Sequence, residues 1–168
     1  MRLELHSVSA DRTRAIGEAI GELVRAGDAI ALTGELGAGK TTLVQGLARG
    51  LGIDDQIVSP TFTLVREYRG RLHLLHADVY RLERVQDVID LGLDEDLAED
   101  GVLVVEWGDA IDALLPEHHL TIELTTAAAD GSAGWQDEPR RLVLAGEGSW
   151  DERLTGLAGT FEGGGRRP

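Results

Sequence analysis

The stretch that decides the fold is Ala29-Ile-Ala-Leu-Thr-Gly-Glu-Leu-Gly-Ala-Gly-Lys-Thr-Thr42. Residues 34–41 fit the pattern G-x-x-x-x-G-K-[ST], a glycine loop whose backbone N–H groups bind phosphate. Such a loop follows a strand and opens a helix. Residues 29–32 are a short apolar run typical of a buried strand, and residues 40–49 carry apolar side chains at helical spacing before Gly50. The sequence therefore predicts a strand, a phosphate-binding loop and a helix, in that order.

The loop supplies the candidate nucleotide-binding residues. Lys40 is expected to bridge the β- and γ-phosphates, and the Thr41 hydroxyl is placed to ligate Mg²⁺. The Thr42 hydroxyl either contacts the α-phosphate or simply begins the helix. The predicted nucleotide-binding set is Gly34, Leu36, Gly37, Ala38, Gly39, Lys40, Thr41 and Thr42.

Composition narrows the nucleotide and the function class. Lys40 is the only lysine of the 168-residue chain, and asparagine is absent. GTPases of this class read guanine with an Asn/Thr-Lys-x-Asp element, which this composition cannot supply, so ATP is the expected nucleotide. The absence of cysteine excludes disulfides and thiolate metal sites. A net charge of −14 argues against this chain alone gripping a nucleic-acid backbone.

No apolar run approaches the roughly 20 residues of a membrane-spanning helix. The start of the chain, Met1-Arg-Leu-Glu4, is too charged for a signal peptide. The sequence therefore predicts a cytoplasmic protein without a membrane partner. We expect one domain over residues 1–155 and a Gly-rich, disordered tail over residues 156–168.

Periodicity places further elements around the loop. Leu3 to Val8 is a predicted first strand, and Ser9 is a predicted N-cap of a helix that runs to about Ala26 and ends at Gly27. Residues 61–68 and 71–75 alternate in polarity and predict a hairpin around Arg69-Gly70. A short helix is expected over residues 85–91, and a strand pair over residues 120–124 and 140–144.

Two acids are predicted to stand at strand ends. Val102 to Val105 is a fully apolar run followed by Glu106, which is the form of a Walker B strand. Asp78 lies in His76-Ala-Asp78, at the end of another predicted strand. Carboxyl ends of strands in an open α/β sheet face the phosphate loop, so both acids are candidates for metal binding or water activation. A lone His76 on a strand is more often structural.

Four motifs in this order resemble the TsaE (YjeE) family. They are the loop of residues 34–42, Ser59-Pro-Thr-Phe-Thr63, His76-x-Asp-x-Tyr-Arg-Leu82 and Glu106-Trp107. The resemblance covers about residues 1 to 125. It implies a P-loop NTPase-like α/β fold with three layers, in which helices flank a mixed central β-sheet.

The resemblance also implies a function. The TsaE family is the ATPase component of bacterial tRNA threonylcarbamoyladenosine synthesis. A member would hydrolyse Mg-ATP weakly alone, dock on the TsaB–TsaD heterodimer and meet tRNA only indirectly, while TsaD transfers the threonylcarbamoyl group. By resemblance Thr41 and Glu106 hold Mg²⁺, while Asp78, Glu106 and the switch-like Thr61 are catalytic. Which of the two acids positions the attacking water stays open, and Trp107 is either a reporter of nucleotide or a packing residue.

A different function class remains possible from the residues alone. A small-molecule kinase would use the same loop and would need an arginine-bearing lid over the phosphates. Arg66, Arg69 and Arg71 on the predicted hairpin are candidates for that lid, although a solvated hairpin face explains them as well. A nucleotide switch that does not hydrolyse ATP is the third reading, and the two strand-end acids make it less attractive. No motif fixes an arginine in the site, and residues 126–168 match none.

Overall fold

The structure is a computed structural model, and it describes residues 1–79, 100–106, 115–126 and 139–162. Within those ranges strands and helices alternate around one sheet. The strands are β1 (Arg2–Ser7), β2 (Ala29–Thr33), β3 (Val65–Arg69), β4 (His73–Asp78), β5 (Gly101–Glu106), β6 (His119–Thr126) and β7 (Arg140–Gly146). The helices are α1 (Ala10–Leu23), α2 (Lys40–Gly50) and α3 (Trp150–Glu162).

The strands form a mixed seven-stranded sheet in the order β1-β7-β6-β2-β5-β4-β3. Strands β6, β2, β5 and β4 run parallel at its centre. Strands β1 and β7 at one side, and β3 at the other, pair antiparallel with their neighbours. The predicted α/β class with a mixed sheet is confirmed. The hairpin, the apolar strand before Glu106 and the pairing of the last two strands are confirmed as well.

Both faces of the sheet are buried at its centre. Leu74 and Val104 join a large apolar cluster that includes residues of all three described helices. Leu75 and Val105, each one residue further along its strand, belong to a second buried cluster. Since successive side chains of a strand point to opposite faces, the two clusters lie on opposite sides of the sheet. This double burial is the arrangement that a three-layer α/β fold requires.

Helices α1 and α2 cross at very short distance because glycines lie at the contact. A Cβ added to Gly17 would lie 2.2 Å from the Leu43 carbonyl oxygen, and one added to Gly46 would lie 2.0 Å from the Arg14 carbonyl oxygen. Backbone thus packs on backbone without side chains between. Because α2 opens directly from the phosphate loop, this contact fixes where the loop stands against the sheet.

Helix α1 begins as predicted and ends earlier than predicted. The Ser9 side chain accepts a hydrogen bond from the Arg12 N–H at the N-cap. The helix ends at Leu23 rather than near Ala26, because Val24 takes an extended conformation with ψ 148°. The predicted role of Gly27 as the helix terminator is therefore wrong. Gly27, at φ +85°, instead turns the chain into β2 and donates its N–H to the Gly101 carbonyl.

The first hairpin strand begins four residues later than its alternating pattern predicts. Residues 61–64 form a turn, in which the N–H groups of Thr63 and Leu64 donate to the Pro60 carbonyl at 3.0 and 2.8 Å. Leu64 takes a φ of +65°, a conformation that no strand residue adopts. The turn breaks the strand before Val65 and brings Thr61 toward the sheet edge.

A disordered tail was expected from residue 156 onward. Residues 156–162 instead continue helix α3. Trp150, Leu154 and Leu157 are buried at helical spacing against the core, and Phe161 packs beside it. This apolar stripe stabilises the helix in spite of its glycines.

The predicted helix over residues 85–91 lies outside the described residues. Among the described helices, none is long and apolar enough to cross a membrane.

Candidate nucleotide-binding site

The loop between β2 and α2 has a backbone that requires glycine. Gly34, Gly37 and Gly39 have φ values of +140°, +83° and +103°. These conformations are strained for any residue with a Cβ. A side chain at Gly34 would also meet the Leu124 carbonyl oxygen at 2.4 Å. The loop therefore turns tightly over the ends of β2 and β6, and α2 begins with its N-terminus at the loop.

Lys40 folds back over the loop that precedes it. Its ammonium donates to the Gly34 carbonyl at 2.7 Å and to the Glu35 carbonyl at 3.1 Å. Burial lowers the pKa of Lys40, and the charges of Glu106 and Asp78 partly oppose that shift. A bound phosphate would add negative charge beside this buried ammonium and so favour its protonated form.

Asp78 and Glu106 meet at the carboxyl edge of the sheet. They end β4 and β5, and they are directly paired in the register of these neighbouring parallel strands. Both side chains are buried, and both charges act on Lys40. The fold thus contains the predicted pair of strand-end acids beside the loop, and the Lys40 ammonium lies within reach of their charges.

Thr61 contacts one of these acids directly. Its hydroxyl donates to Asp78 Oδ2 at 2.9 Å, and its Oγ1 lies 2.7 Å from Ser59 Oγ. The turn closed on the Pro60 carbonyl sets the position of Thr61. The family resemblance implies a switch-like, catalytic Thr61, and the structure connects its hydroxyl to Asp78.

His76 contacts the other acid. Its Nε2 lies 2.8 Å from Glu106 Oε1, and the imidazole is fully buried. A hydrogen bond thus joins the imidazole to the Glu106 carboxyl group. His76 therefore orients Glu106, so its contact is more specific than the generic packing that a lone strand histidine suggests.

The phosphate loop, the two acids and Thr61 line one cavity of about 570 Å³. The lining residues are Leu36, Gly37, Gly39, Lys40, Thr41, Thr42, Ser59, Thr61, Asp78, Glu106 and Arg140. Two residues of the predicted set do not line it. Gly34 contributes the carbonyl that holds Lys40, and Ala38 is buried behind the loop. Leu36 is 95% exposed at the tip of the loop.

Comparison with known proteins places this site in a family. The family model for TsaE, described as "Threonylcarbamoyl adenosine biosynthesis protein TsaE", matches residues 7–133. The chain belongs to the TsaE family. All the sequence-predicted site residues lie within the matched range.

Individual relatives agree. The TsaE protein of Treponema pallidum is 48% identical over 126 residues, which are 75% of this chain and 93% of the relative. The TsaE protein of Bacillus subtilis is 43% identical over 130 residues, 77% of this chain and 81% of the relative. The crystal structure of Bacillus subtilis YdiB superposes with a TM-score of 0.76 at 34% identity, covering 94% of this chain and 95% of that one.

Sequence reasoning missed Arg140, which lies beyond the range of the TsaE family model. This residue begins β7, is 5% exposed, and donates from Nε to the Ala38 carbonyl at 3.1 Å. No motif marks an arginine of the site, yet the structure places Arg140 in the lining of the cavity. No pattern distinguishes it from Arg141, the next residue of the strand. Ser59 was quoted in its motif but given no role.

The arginines proposed for a kinase lid do not form one together. Arg71 donates from Nη2 to the carbonyls of Gly21 and Val24 at 2.6 and 2.9 Å, which ties the hairpin to the end of α1. Arg69 pairs with His73, at the opposite end of β4 from Asp78. Trp107 lies outside the described residues.

The oxygen groups present fit Mg²⁺ bound together with a nucleotide. Among the described residues, no group of three His, Asp or Glu side chains forms a metal cluster. Mg²⁺ in nucleotide sites usually takes one or two protein oxygens and completes its shell with phosphates and water. Thr41 and Glu106, which line the same cavity, carry hard oxygen atoms that could serve as ligands of that kind.

Proposed function

We propose that this TsaE-family protein binds and hydrolyses Mg-ATP in a complex with TsaB and TsaD, and so supports threonylcarbamoylation of the tRNA adenosine next to the anticodon. One observation carries the proposal. The phosphate loop, with Lys40 and Thr41, opens into the same cavity as the acids Asp78 and Glu106. ATP hydrolysis needs the phosphate-binding loop and the acids that activate water in the same cavity.

Each residue has a defined part in this proposal. Lys40 exchanges its loop carbonyls for the β- and γ-phosphate oxygens, while the α2 N-terminus and the loop N–H groups face the same anion. Thr41 and Glu106 hold Mg²⁺, which neutralises charge that develops on the phosphates. Asp78, oriented by Thr61, accepts a hydrogen bond from the attacking water. His76 keeps the Glu106 carboxylate directed toward the cavity.

The charge of the chain supports work beside partners rather than on nucleic acid. At −14 it lacks the excess of positive charge by which proteins hold an RNA backbone. We propose that tRNA meets this protein only through TsaB and TsaD, in the cytoplasm, and that TsaD performs the transfer.

The test is ATP hydrolysis by the purified protein, alone and with TsaB and TsaD added. Low activity alone that rises with both partners supports the proposal. The test variant is Glu106→Gln, which preserves the size of the side chain and its contact with His76 but removes its charge. It should abolish the rise in activity that TsaB and TsaD cause. Unchanged activity on adding the partners would contradict the partner-dependent role, and phosphoryl transfer to small acceptors would then test the kinase alternative.

A further inference from the structure

Two buried nitrogen atoms on the β3–β4 hairpin have no hydrogen-bond partner within the described part of the chain. They are Arg66 Nε and His76 Nδ1. The proposed function uses the other ring nitrogen of His76, which lies 2.8 Å from Glu106 Oε1, and it gives Arg66 no part. Buried polar atoms without a partner are rare in folded proteins, so each of these two atoms requires an explanation.

The register of the hairpin brings the two side chains together. Arg66 of β3 is paired directly with His76 of β4. Side chains of directly paired residues stand on the same face of a sheet, with Cβ atoms about 5 Å apart. This face carries Leu74 of the large apolar cluster, because His76 follows Leu74 by two residues on the strand. Arg66 Nε and His76 Nδ1 are therefore neighbours on the buried face that the helices cover.

The two atoms have complementary chemistry. The Nε of arginine always carries a hydrogen and only donates, whereas a neutral imidazole has one nitrogen that donates and one that accepts. If Nδ1 of His76 accepts from Arg66, the ring proton is on Nε2, which then donates to Glu106 Oε1. The opposite tautomer would set two donors against each other at Arg66 and would turn an acceptor nitrogen toward the carboxylate. The first arrangement alone gives every one of these groups a partner while Glu106 is ionised.

We propose that Arg66 is a positioning residue whose Nε–H group donates to His76 Nδ1 and so fixes the tautomer in which Nε2 donates to Glu106. The donors then run in one direction across the neighbouring strands β3, β4 and β5. Arg66 is not among the residues that line the nucleotide cavity, so it acts on Glu106 through His76. The hydrogen bond stands by itself, whereas its effect on Mg²⁺ binding by Glu106 rests on the proposed function.

Nuclear magnetic resonance of the nucleotide-free protein with ¹⁵N-labelled histidine tests the hydrogen bond. The shifts of the ring nitrogens distinguish the two neutral tautomers from each other and from the imidazolium ion. The chain has five histidines, and a His76→Gln sample identifies the signals of His76. We expect the proton of the wild-type ring on Nε2, and Nδ1 as a hydrogen-bonded acceptor. A proton on Nδ1, or an Nδ1 that accepts no hydrogen bond, would overturn the proposal.

Three substitutions of Arg66 separate the Nε donor from the charge. Arg66→Gln keeps an N–H donor at the same number of bonds from the backbone but has no charge. Arg66→Lys keeps the charge and has a methylene group at that position, and Arg66→Met keeps neither. Arg69→Met is the matched control, because this arginine of the same strand is exposed and stands on the opposite face.

We expect Arg66→Gln and Arg69→Met to keep the wild-type signals of His76, and Arg66→Lys and Arg66→Met to lose the hydrogen-bonded Nδ1 signal. Thermal unfolding shows whether each variant is folded. Signals of His76 that stay unchanged in folded Arg66→Met would overturn the proposal. So would signals that are kept in Arg66→Lys and lost in Arg66→Gln, because the charge and not the donor would then act on the ring.

The Mg²⁺ requirement of ATP hydrolysis with TsaB and TsaD gives a second readout. Loss of a group that orients a metal ligand costs about 10- to 100-fold in metal affinity or activity. Since Arg66 acts one residue further from the metal, we expect Arg66→Met to raise the Mg²⁺ concentration for half-maximal hydrolysis about five-fold, and Arg66→Gln to leave it near the wild-type value. An unchanged requirement in Arg66→Met would overturn the positioning role. A wild-type protein without hydrolysis would overturn the proposed function, and the histidine spectra would still decide the contact of Arg66.

Discussion

The close crossing of α1 and α2 predicts that Gly17→Ala destabilises the fold. The new methyl carbon would lie 2.2 Å from the Leu43 carbonyl oxygen and 3.0 Å from the Leu47 nitrogen, both backbone atoms that cannot rotate away. Relief to an ordinary contact of 3.4 Å requires the helices to separate by more than 1 Å at this point. Overpacking of this kind costs about 3 kcal/mol, at the upper end of its usual range.

Helix propensity opposes this loss. Alanine is favoured over glycine in a helix interior by about 1 kcal/mol, so the net destabilisation of Gly17→Ala is about 2 kcal/mol. Gly156→Ala in α3 is the matched control, because nothing lies within 4 Å of its added Cβ. It should stabilise the protein by up to about 1 kcal/mol from propensity alone.

Thermal unfolding followed by circular dichroism measures both changes. For a chain of this size we expect Gly17→Ala to lower Tm by about 4–8 °C, and Gly156→Ala to raise it by about 2–4 °C. Because α2 carries the phosphate loop, Gly17→Ala should also weaken ATP binding at temperatures where it remains folded. Equal or higher stability of Gly17→Ala would refute the packing argument.

Three further changes test the site. Lys40→Ala should reduce ATP affinity by at least ten-fold, because the chain has no other lysine to replace it; calorimetry measures this, and unchanged affinity would contradict the assignment. Thr41→Ala should raise the Mg²⁺ concentration needed for half-maximal hydrolysis severalfold, whereas a shift absent from a magnesium titration would remove its metal role. Thr61→Val should lower kcat about ten-fold with little change in ADP affinity, since it removes the hydrogen bond to Asp78; an equal loss of ADP affinity would make Thr61 a binding residue.

Motif and periodicity were sufficient for the parts of the site that lie next to one another in the sequence. The loop pattern identified Lys40 and Thr41, and the apolar run before Glu106 identified a central strand. Asp78 was found because it too follows a strand pattern, and parallel strands end at one edge. These residues could be predicted without tertiary information because each motif depends on a short stretch of chain.

Features that depend on tertiary contacts were not predicted from the sequence. Arg140 enters the site because β7 pairs with β6, a relation that no local pattern records. The early end of α1 depends on Val24 turning extended to reach β2, although its side chains continue a helical pattern. Helix α3 was not predicted, because the glycines from Gly156 onward resemble a linker, while Leu154 and Leu157 carry the apolar stripe that stabilises it.

The central claim is that the loop of residues 34–41 is an Mg-ATP site. Calorimetric titration of the purified protein with ATP, in the presence and absence of Mg²⁺, tests it most directly. The account predicts one nucleotide per chain, tighter binding with Mg²⁺, and loss of most of the affinity in Lys40→Ala. No heat of binding from the wild-type protein, or equal affinity in Lys40→Ala, would contradict it.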